Sequence, residues 1–147
     1  MRLFLDSEFN GFGGALISLA LVAQGCEVPD WYECMETADG YDPWVAENVI
    51  PVLGKPPISK SEFRASFLKY IQWFDSPEVI ADWHTDIMHF CSLLEGDRFE
   101  ESVPFAGKFT IIQTPEGEPK PDNPHNALND ARALRDWYLE RGLRCHE

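Results

Sequence analysis

The chain has 147 residues, of which 44% are hydrophobic and 13% aromatic, so residues 1–147 are expected to form one domain with a substantial apolar core. The net charge is −13, from 25 Asp and Glu against 12 Lys and Arg, which argues against a protein that holds nucleic acid on a broad basic face. An enzyme that meets phosphate through bound cations is compatible with this charge, because such cations can dominate the local field of a site.

The four cysteines form no CxxC pair and show no zinc-site spacing, so we expect reduced thiols and a cytoplasmic protein. Acids at positions 6 and 8 are not typical of a signal peptide. No apolar run reaches the length that a membrane span requires, and no membrane partner is expected.

The first third of the chain predicts three strands, over residues 2–9, 15–22 and 27–35, with glycine-containing turns between them. Two short connections in succession favour an antiparallel meander. The following elements are a helix over 43–53, a helix opened by the capping box Ser59–Glu62, a strand over 78–83, a helix capped by Thr85 and ended by Gly96, a strand over 108–114, and a helix capped by Asn123 that begins at Pro124 and runs to about residue 141.

This order of elements predicts an α/β protein with a mixed sheet. The three-strand meander would form one side of the sheet, and strands joined by helical crossovers would lie parallel at the other side. Helices are expected to cover both faces.

Two acids interrupt the otherwise apolar first strand. Because side chains alternate along a strand, Asp6 and Glu8 point to the same face. Adjacent carboxylates repel each other and are costly to desolvate, which a fold tolerates when a cation lies between them. The alternatives are an edge strand with two solvated acids, or a pair neutralised by Lys or Arg.

The last helix carries an acid on its apolar face. Asp130 lies three residues after Ala127 and four before Leu134, which places it toward the sheet. His125 lies one turn earlier, beside a Pro- and Gly-rich loop over 115–124 that we expect to be exposed and mobile. The alternatives are that Asp130 bonds to Arg or backbone and that His125 is a surface residue at the helix start.

The middle of the chain supplies a further candidate acid, Asp86. Asp86 lies at the start of its helix, where the helix dipole alone would favour an acid. Its position one turn before Phe90 also places it on the inward stripe, which the dipole does not require. Asp82, at the end of the preceding strand, is the alternative for the same role.

Asp6, Glu8, Asp86 and Asp130 can therefore face one edge of the sheet. Oxygen ligands without a Cys or His cluster select Mg²⁺ or Mn²⁺ rather than zinc. Two such ions, about 3.5–4 Å apart, are the usual apparatus for in-line cleavage of a phosphodiester.

The Asp6-Ser7-Glu8-Phe9 segment on the first strand, a later Asp, and His125-x4-Asp130 on the last helix resemble the DEDDh 3′–5′ exonucleases, which have a ribonuclease H-like sheet. The resemblance covers essentially the whole chain in order and spacing. The short length and the segment from Trp83 to Asp86 are most similar to the small bacterial exoribonucleases of the RNase AS kind. The chain departs from many relatives in the middle motif, which lacks their Asn and Phe-Asp, so Asp82 stays open as the third acid.

The resemblance implies a metal-dependent 3′–5′ exoribonuclease that releases nucleoside 5′-monophosphates from the 3′ end of single-stranded RNA or a short oligonucleotide. It implies that Asp6, Glu8 and Asp130 hold one ion and the attacking water. Asp6, with Asp86 acting through a water, would hold the second ion. His125 would take the proton from the attacking water, as an imidazole can at neutral pH.

Three aromatic residues are candidates for stacking on terminal bases: Phe9, Phe12 and Trp83. The alternative for each of them is core packing. Two other functions stay open, a DNA-directed 3′–5′ exonuclease and a catalytically inactive nucleic-acid-binding module of the same fold. Whether the chain forms a homodimer is also open.

Overall fold

The computed structural model describes residues 1–38 and 40–141, which form a five-stranded mixed sheet with four α-helices. In chain order the elements are β1 (Arg2–Phe9), β2 (Leu16–Ala23), β3 (Trp31–Cys34), α1 (Pro43–Asn48), α2 (Lys60–Ile71), β4 (Glu78–Ala81), α3 (His84–Glu95), β5 (Lys108–Ile111) and α4 (Ala127–Glu140), with 3₁₀ turns at Ile50–Val52 and Phe99–Glu101.

The strand order across the sheet is β3-β2-β1-β4-β5. Strands β1, β2 and β3 form an antiparallel meander, whereas β4 is parallel to both β1 and β5. The predicted mixed α/β sheet is therefore confirmed. Because β1 is the central strand, the interpretation of its acids as solvated residues of an edge strand is wrong.

Helices pack on both faces of the sheet, as predicted, because the side chains of β1 alternate between the faces. Leu3 and Leu5 belong to the cluster that contains Phe63 of α2 and Phe90 of α3. Phe4 belongs to the other face and packs among residues of α4. Asp6 and Glu8 continue the face of Phe4, so they point toward α4.

A β-bulge lies beside the acidic end of β1. Glu8 is opposite Ser18, but Phe9 is opposite Leu16, so Ile17 is an extra residue on β2. Ile17 is fully buried and packs against α1 and the turn that follows it. Bulges often redirect a side chain near a functional site, and this one provides the surface on which α1 docks next to the acids.

Several element boundaries differ from the predicted ones. Strand β3 begins at Trp31 rather than at residue 27, because Pro29 has no N–H for a sheet ladder. The last turn of the predicted first helix is a 3₁₀ turn that contains Pro51. The strands predicted over 78–83 and 108–114 end earlier, at Ala81 and Ile111.

Two predicted helix caps are wrong. Helix α3 begins at His84 after Trp83, without a side-chain cap, and Thr85 is buried in its first turn. Helix α4 is capped by Asn126, whose side chain accepts a hydrogen bond from the N–H of Asn129, and not by Asn123.

His125 precedes α4 instead of belonging to it, with a φ of +66°. In this left-handed conformation its N–H donates to Asp130 Oδ2 over 3.0 Å. This contact accounts for the later start of the helix.

Cys26, Cys34 and Cys91 are free thiols, and Cys145 lies outside the described residues. Cys91, on α3, is only partly buried. Within the described part of the chain, no helix combines the length and the apolar character needed to cross a membrane.

Candidate metal centre

Three carboxylates from two elements meet on the α4 face of the sheet. Asp6 and Glu8 project from β1, and Asp130 projects from the first turn of α4. One carboxylate oxygen from each of the three lies within 4.8 Å of one from each of the others. This spacing allows a single cation to bind all three.

A second group of acids shares Asp6 with the first. Asp82 directly follows β4, and Asp86 lies in the first turn of α3. One oxygen from each of Asp6, Asp82 and Asp86 also lies within 4.8 Å of the other two. The structure thus brings together the four acids that the sequence singles out, and it places the alternative, Asp82, in the same group as Asp86.

Local hydrogen bonds orient two of these side chains. Asp86 is only 2% exposed, and its Oδ1 accepts a hydrogen bond from Ser7 Oγ over 2.6 Å. Ser7 lies between Asp6 and Glu8 on β1, so this bond fixes the start of α3 against the acidic strand. Asp130 is oriented by the backbone N–H of His125 through its Oδ2.

Two buried carboxylate oxygens have no hydrogen-bond partner among the described residues, Asp6 Oδ2 and Asp130 Oδ1. In the same part of the chain, none of the ion pairs includes any of the five clustered acids. The alternatives in which Lys or Arg neutralises the acids therefore have no support. Buried carboxylate oxygens without partners are costly, and a bound cation would supply the missing interaction.

The electrostatics of the cluster favour protonated carboxyl groups when no cation is bound. Burial, reinforced by the charges of the neighbouring acids, raises the pKa of Asp6 well above its ordinary value. Burial and the charge of Asp130 raise the pKa of Glu8 to about 8. A cation would reverse this effect, because an opposite charge favours ionised carboxylates.

The pKa values of the remaining acids are raised as well. Burial raises the pKa of Asp86 to about 7, although the hydrogen bond from Ser7 lowers it in part. Burial raises the pKa of Asp130 to about 6, against the effect of the N–H of His125. Burial also raises the pKa of Asp82. All five acids are therefore destabilised in their charged form by the same environment.

The donor set fits a hard divalent cation. Every ligand atom in the two groups is a carboxylate oxygen, and no sulfur or imidazole nitrogen belongs to either group. Such all-oxygen sets suit Mg²⁺ or Mn²⁺ rather than zinc. The unpartnered oxygens of Asp6 and Asp130 and the sharing of Asp6 between the groups are consistent with two adjacent ions.

An open cleft of about 530 Å³ leads to Asp6, Glu8 and Asp86, with aromatic side chains along its wall. Phe12 is 98% exposed and Trp83 is 52% exposed, so the core-packing alternative is wrong for these two residues. Phe9 also lines the cleft, but its ring packs against His89 with a centroid distance of 5.2 Å. Phe12 and Trp83 therefore offer free aromatic surface beside the acids.

Sequence reasoning missed two residues at this site. Trp44, in the first turn of α1, lines the cleft and packs edge-on against His125. Asn126 is buried and connects α4 to the turn after α1. The Asp42-Pro43 helix start located α1, but no local pattern indicated that α1 would pack beside the last helix.

No protein-family model matches the chain, and no curated protein matches it significantly.

Proposed function

We propose that this protein is a metal-dependent 3′–5′ exoribonuclease that releases nucleoside 5′-monophosphates. The observation that carries the proposal is that two clusters of three acids share Asp6. Buried oxygens of Asp6 and Asp130 in these clusters have no hydrogen-bond partner among the described residues. Two metal ions held side by side by carboxylates are the common apparatus of enzymes that cleave phosphodiesters in line.

The fold that we propose is ribonuclease H-like. The strand order β3-β2-β1-β4-β5, with an antiparallel meander and a parallel half, supports this assignment. The acids at the end of the central strand β1 and on α4 are further support, because the DEDDh exonucleases that the sequence resembles carry their acids on the first strand and the last helix.

Under this proposal Asp6, Glu8 and Asp130 would hold one ion, and Asp6 and Asp86 would hold the second. Asp82 is the alternative to Asp86. When bound, the ions would supply Lewis-acid stabilisation of the charge on the scissile phosphate and a more acidic water nucleophile. The carboxylates would fix the positions of the ions, since Ser7 and the N–H of His125 already orient Asp86 and Asp130.

His125 is the proposed general base. Its imidazole takes a proton from the water whose oxygen attacks the phosphorus, and the bond from phosphorus to the 3′ oxygen breaks on the opposite side. The leaving 3′ oxygen receives a proton from solvent, which yields a shortened chain and a 5′-monophosphate. The hydrogen bond from the backbone N–H of His125 to Asp130 keeps the backbone of this residue next to the acids.

We propose that the substrate is the 3′ end of single-stranded RNA or a short oligonucleotide. Phe12 and Trp83 provide aromatic surface in the cleft, and stacking on such surface contributes about 1–3 kcal/mol per base without strong sequence preference. The net charge of −13 disfavours long contacts with phosphates, so a few nucleotides at the terminus should contribute most of the binding.

The test is to incubate the protein and Mg²⁺ or Mn²⁺ with 5′-labelled RNA and DNA of the same sequence. We expect a ladder of RNA products shortened from the 3′ end, and mononucleotides as the second product. Faster shortening of DNA would favour the DNA-directed exonuclease, and no shortening of either strand would favour the inactive binding module.

The variant Asp130→Asn makes this test specific to the site. Its amide oxygen can keep the hydrogen bond from His125, but it is a weak metal ligand. We expect activity to fall about a hundredfold or more, because metal-ion catalysis contributes several kcal/mol. Asp136→Asn, an exposed acid on the same helix, is the matched control and should keep wild-type activity. Activity of Asp130→Asn close to that of the control would contradict the metal-ligand role.

A further inference from the structure

Two tryptophans of equal exposure line the acidic cleft, but they have different neighbours. Trp44 and Trp83 are each 52% exposed. Trp83 packs against His84, whereas Trp44 lies edge-on to His125 with ring centroids 5.0 Å apart and an interplanar angle of 80°. Trp44 is thus the tryptophan that contacts the proposed base.

The position of Trp44 is fixed from the acidic strand. Asn10 lies two residues beyond Glu8, and its side chain donates to Gly40 O over 3.1 Å and accepts from the N–H of Asp42 over 2.8 Å. Asp42 in turn caps α1 by accepting a hydrogen bond from the N–H of Trp44 over 3.0 Å. These bonds hold the first turn of α1 beside the end of β1.

The segment from residue 42 to residue 53 begins with the cap of α1, and its other end is bonded to Asn126, the residue that follows His125. The side chain of Asn126 donates to Val52 O over 2.8 Å and to Leu53 O over 3.3 Å. The same side chain caps α4. The segment from residue 42 to residue 53 therefore contacts the start of α4 at two points, through Trp44 and through Asn126.

The backbone of His125 is held, but its side chain depends on the aromatic contact. A φ of +66° is uncommon for a residue other than glycine, and here it accompanies the N–H bond to Asp130. Among the described residues, the ring that packs against its imidazole is that of Trp44. Loss of the indole would allow the imidazole to rotate about χ1.

We propose that Trp44 is a positioning residue for His125, and that the indole ring of Trp44 holds the imidazole in an orientation that faces the acidic cleft. This inference rests on the general-base role proposed above for His125. The orientation matters because a general base must lie within hydrogen-bond reach of the proton that it takes, and a displacement of about 1 Å can lower a rate up to about a hundredfold.

The kinetic test compares tryptophan variants on a short RNA oligonucleotide. We expect Trp44→Ala to lower kcat about tenfold or more while KM changes little, because the defect lies in the proton transfer. Trp44→Phe keeps an aromatic edge and should restore most of kcat. Trp83→Ala, which removes equal exposed surface without touching His125, should mainly raise KM. Trp73→Ala, an equally large exposed residue near the end of α2, should match wild type.

A second comparison asks whether Trp44 acts through His125. In a His125→Asn background the base is absent, so Trp44→Ala should change the residual rate less than about twofold. A tenfold loss in both backgrounds would overturn the inference, because Trp44 would then act independently of the imidazole. A rise in KM with unchanged kcat would also overturn it and would make Trp44 a substrate contact.

A third measurement does not depend on activity. In the nuclear magnetic resonance spectrum of protein with labelled histidine, the imidazole signals of His125 should shift in Trp44→Ala and not in Trp73→Ala. Unchanged signals would overturn the inference even if the protein is a nuclease. If the signals shift in Trp44→Ala but the wild-type protein cleaves no oligonucleotide, the proposed function is contradicted instead.

Discussion

His125 combines an unusual backbone conformation with a proposed chemical role. Its positive φ allows its N–H to point at Asp130, so one residue both orients a proposed metal ligand and carries the proposed base. Such strain occurs mainly at functional sites, where the surrounding structure enforces it. The same feature decides which substitution tests the base cleanly.

We predict that His125→Asn reduces turnover about 10²–10⁴-fold, the usual contribution of general acid–base catalysis. Asn tolerates the left-handed region better than Ala does, so the N–H bond to Asp130 should persist. Affinity for Mn²⁺, measured by calorimetry, should therefore change little. A large loss of Mn²⁺ affinity together with the loss of turnover would show that His125 is a metal ligand and not a base.

The two candidates for the third acid differ in how firmly they are held. Asp86 is buried and accepts a short hydrogen bond from Ser7, whereas Asp82 is less buried. We predict that Asp86→Asn is nearly inactive. Asp82→Asn should stay within about tenfold of wild type, a loss of at most about 1.4 kcal/mol in transition-state stabilisation. Rates of mononucleotide release from both variants decide this, and the reverse order would make Asp82 the third acid.

At the scale of elements, hydrophobic patterns and helix-start sequences predicted every strand and α-helix of the described chain, but not all of their ends. The period of two in β1 placed Asp6 and Glu8 on one face, and the period of α4 placed Asp130 toward the sheet. Asn123-Pro124 has the composition of a helix start, yet α4 begins later because His125 adopts a left-handed conformation to reach Asp130. The hydrogen bond to Asp130 and the position of Asp130 against the sheet are tertiary features, so the local sequence around Asn123 does not predict them.

The contact between α1 and α4 could not be predicted from the sequence either. It depends on a bulge that turns Ile17 toward α1 and on a buried amide, Asn126, that reaches two carbonyls more than seventy positions earlier in the chain. Trp44 lies beside His125 as part of this contact. The clustered acids were thus predictable from spacing, whereas the residues that bring α1 beside α4 were not.

We predict that Asn126→Asp lowers the free energy of unfolding by about 2–4 kcal/mol. The carboxylate keeps the cap on α4, but it loses the donated bonds to Val52 O and Leu53 O and places a charge among buried carbonyls. Ser59→Ala, which removes the cap of α2 far from the site, should lower it by only about 1 kcal/mol. Urea denaturation measures both changes. A stability of Asn126→Asp equal to that of Ser59→Ala would show that the bonds to Val52 O and Leu53 O contribute little.

At the scale of the whole molecule, the acidic cluster should determine how stability depends on pH in the absence of metal. Acids with raised pKa values keep protons in the folded state that the unfolded chain has already released, so stability falls as pH rises. The pKa of Glu8 is raised from an ordinary value of 4.5 to about 8, and that of Asp86 from 3.8 to about 7. Acids whose pKa values are lowered in the folded protein, such as Glu78, change the stability only at pH values below this range of pKa values.

We therefore predict that the protein in EDTA loses stability steadily between about pH 5 and pH 8, as thermal melts would show. Saturating Mn²⁺ should remove most of this loss, because a cation that binds only the folded site stabilises it by about 2.7 kcal/mol at a hundredfold excess over Kd. A melting temperature that rises with pH in EDTA would show that the acids are already neutralised within the protein.

The variant Asp6→Asn separates a metal centre from a structural cluster, since Asp6 belongs to both groups of acids. Its removal relieves repulsion and leaves no carboxylate oxygen unpaired at that position, so Asp6→Asn should melt higher than wild type in EDTA at pH 8 and about equally at pH 5. It should also lose most of the increase that Mn²⁺ produces. Glu78→Gln supplies the opposite control, because the Glu78 carboxylate pairs with Arg2 and Lys108, and its loss should lower the melting temperature in EDTA. If Asp6→Asn behaves like Glu78→Gln, a cation of the protein neutralises Asp6, and the metal-centre proposal fails at its central residue.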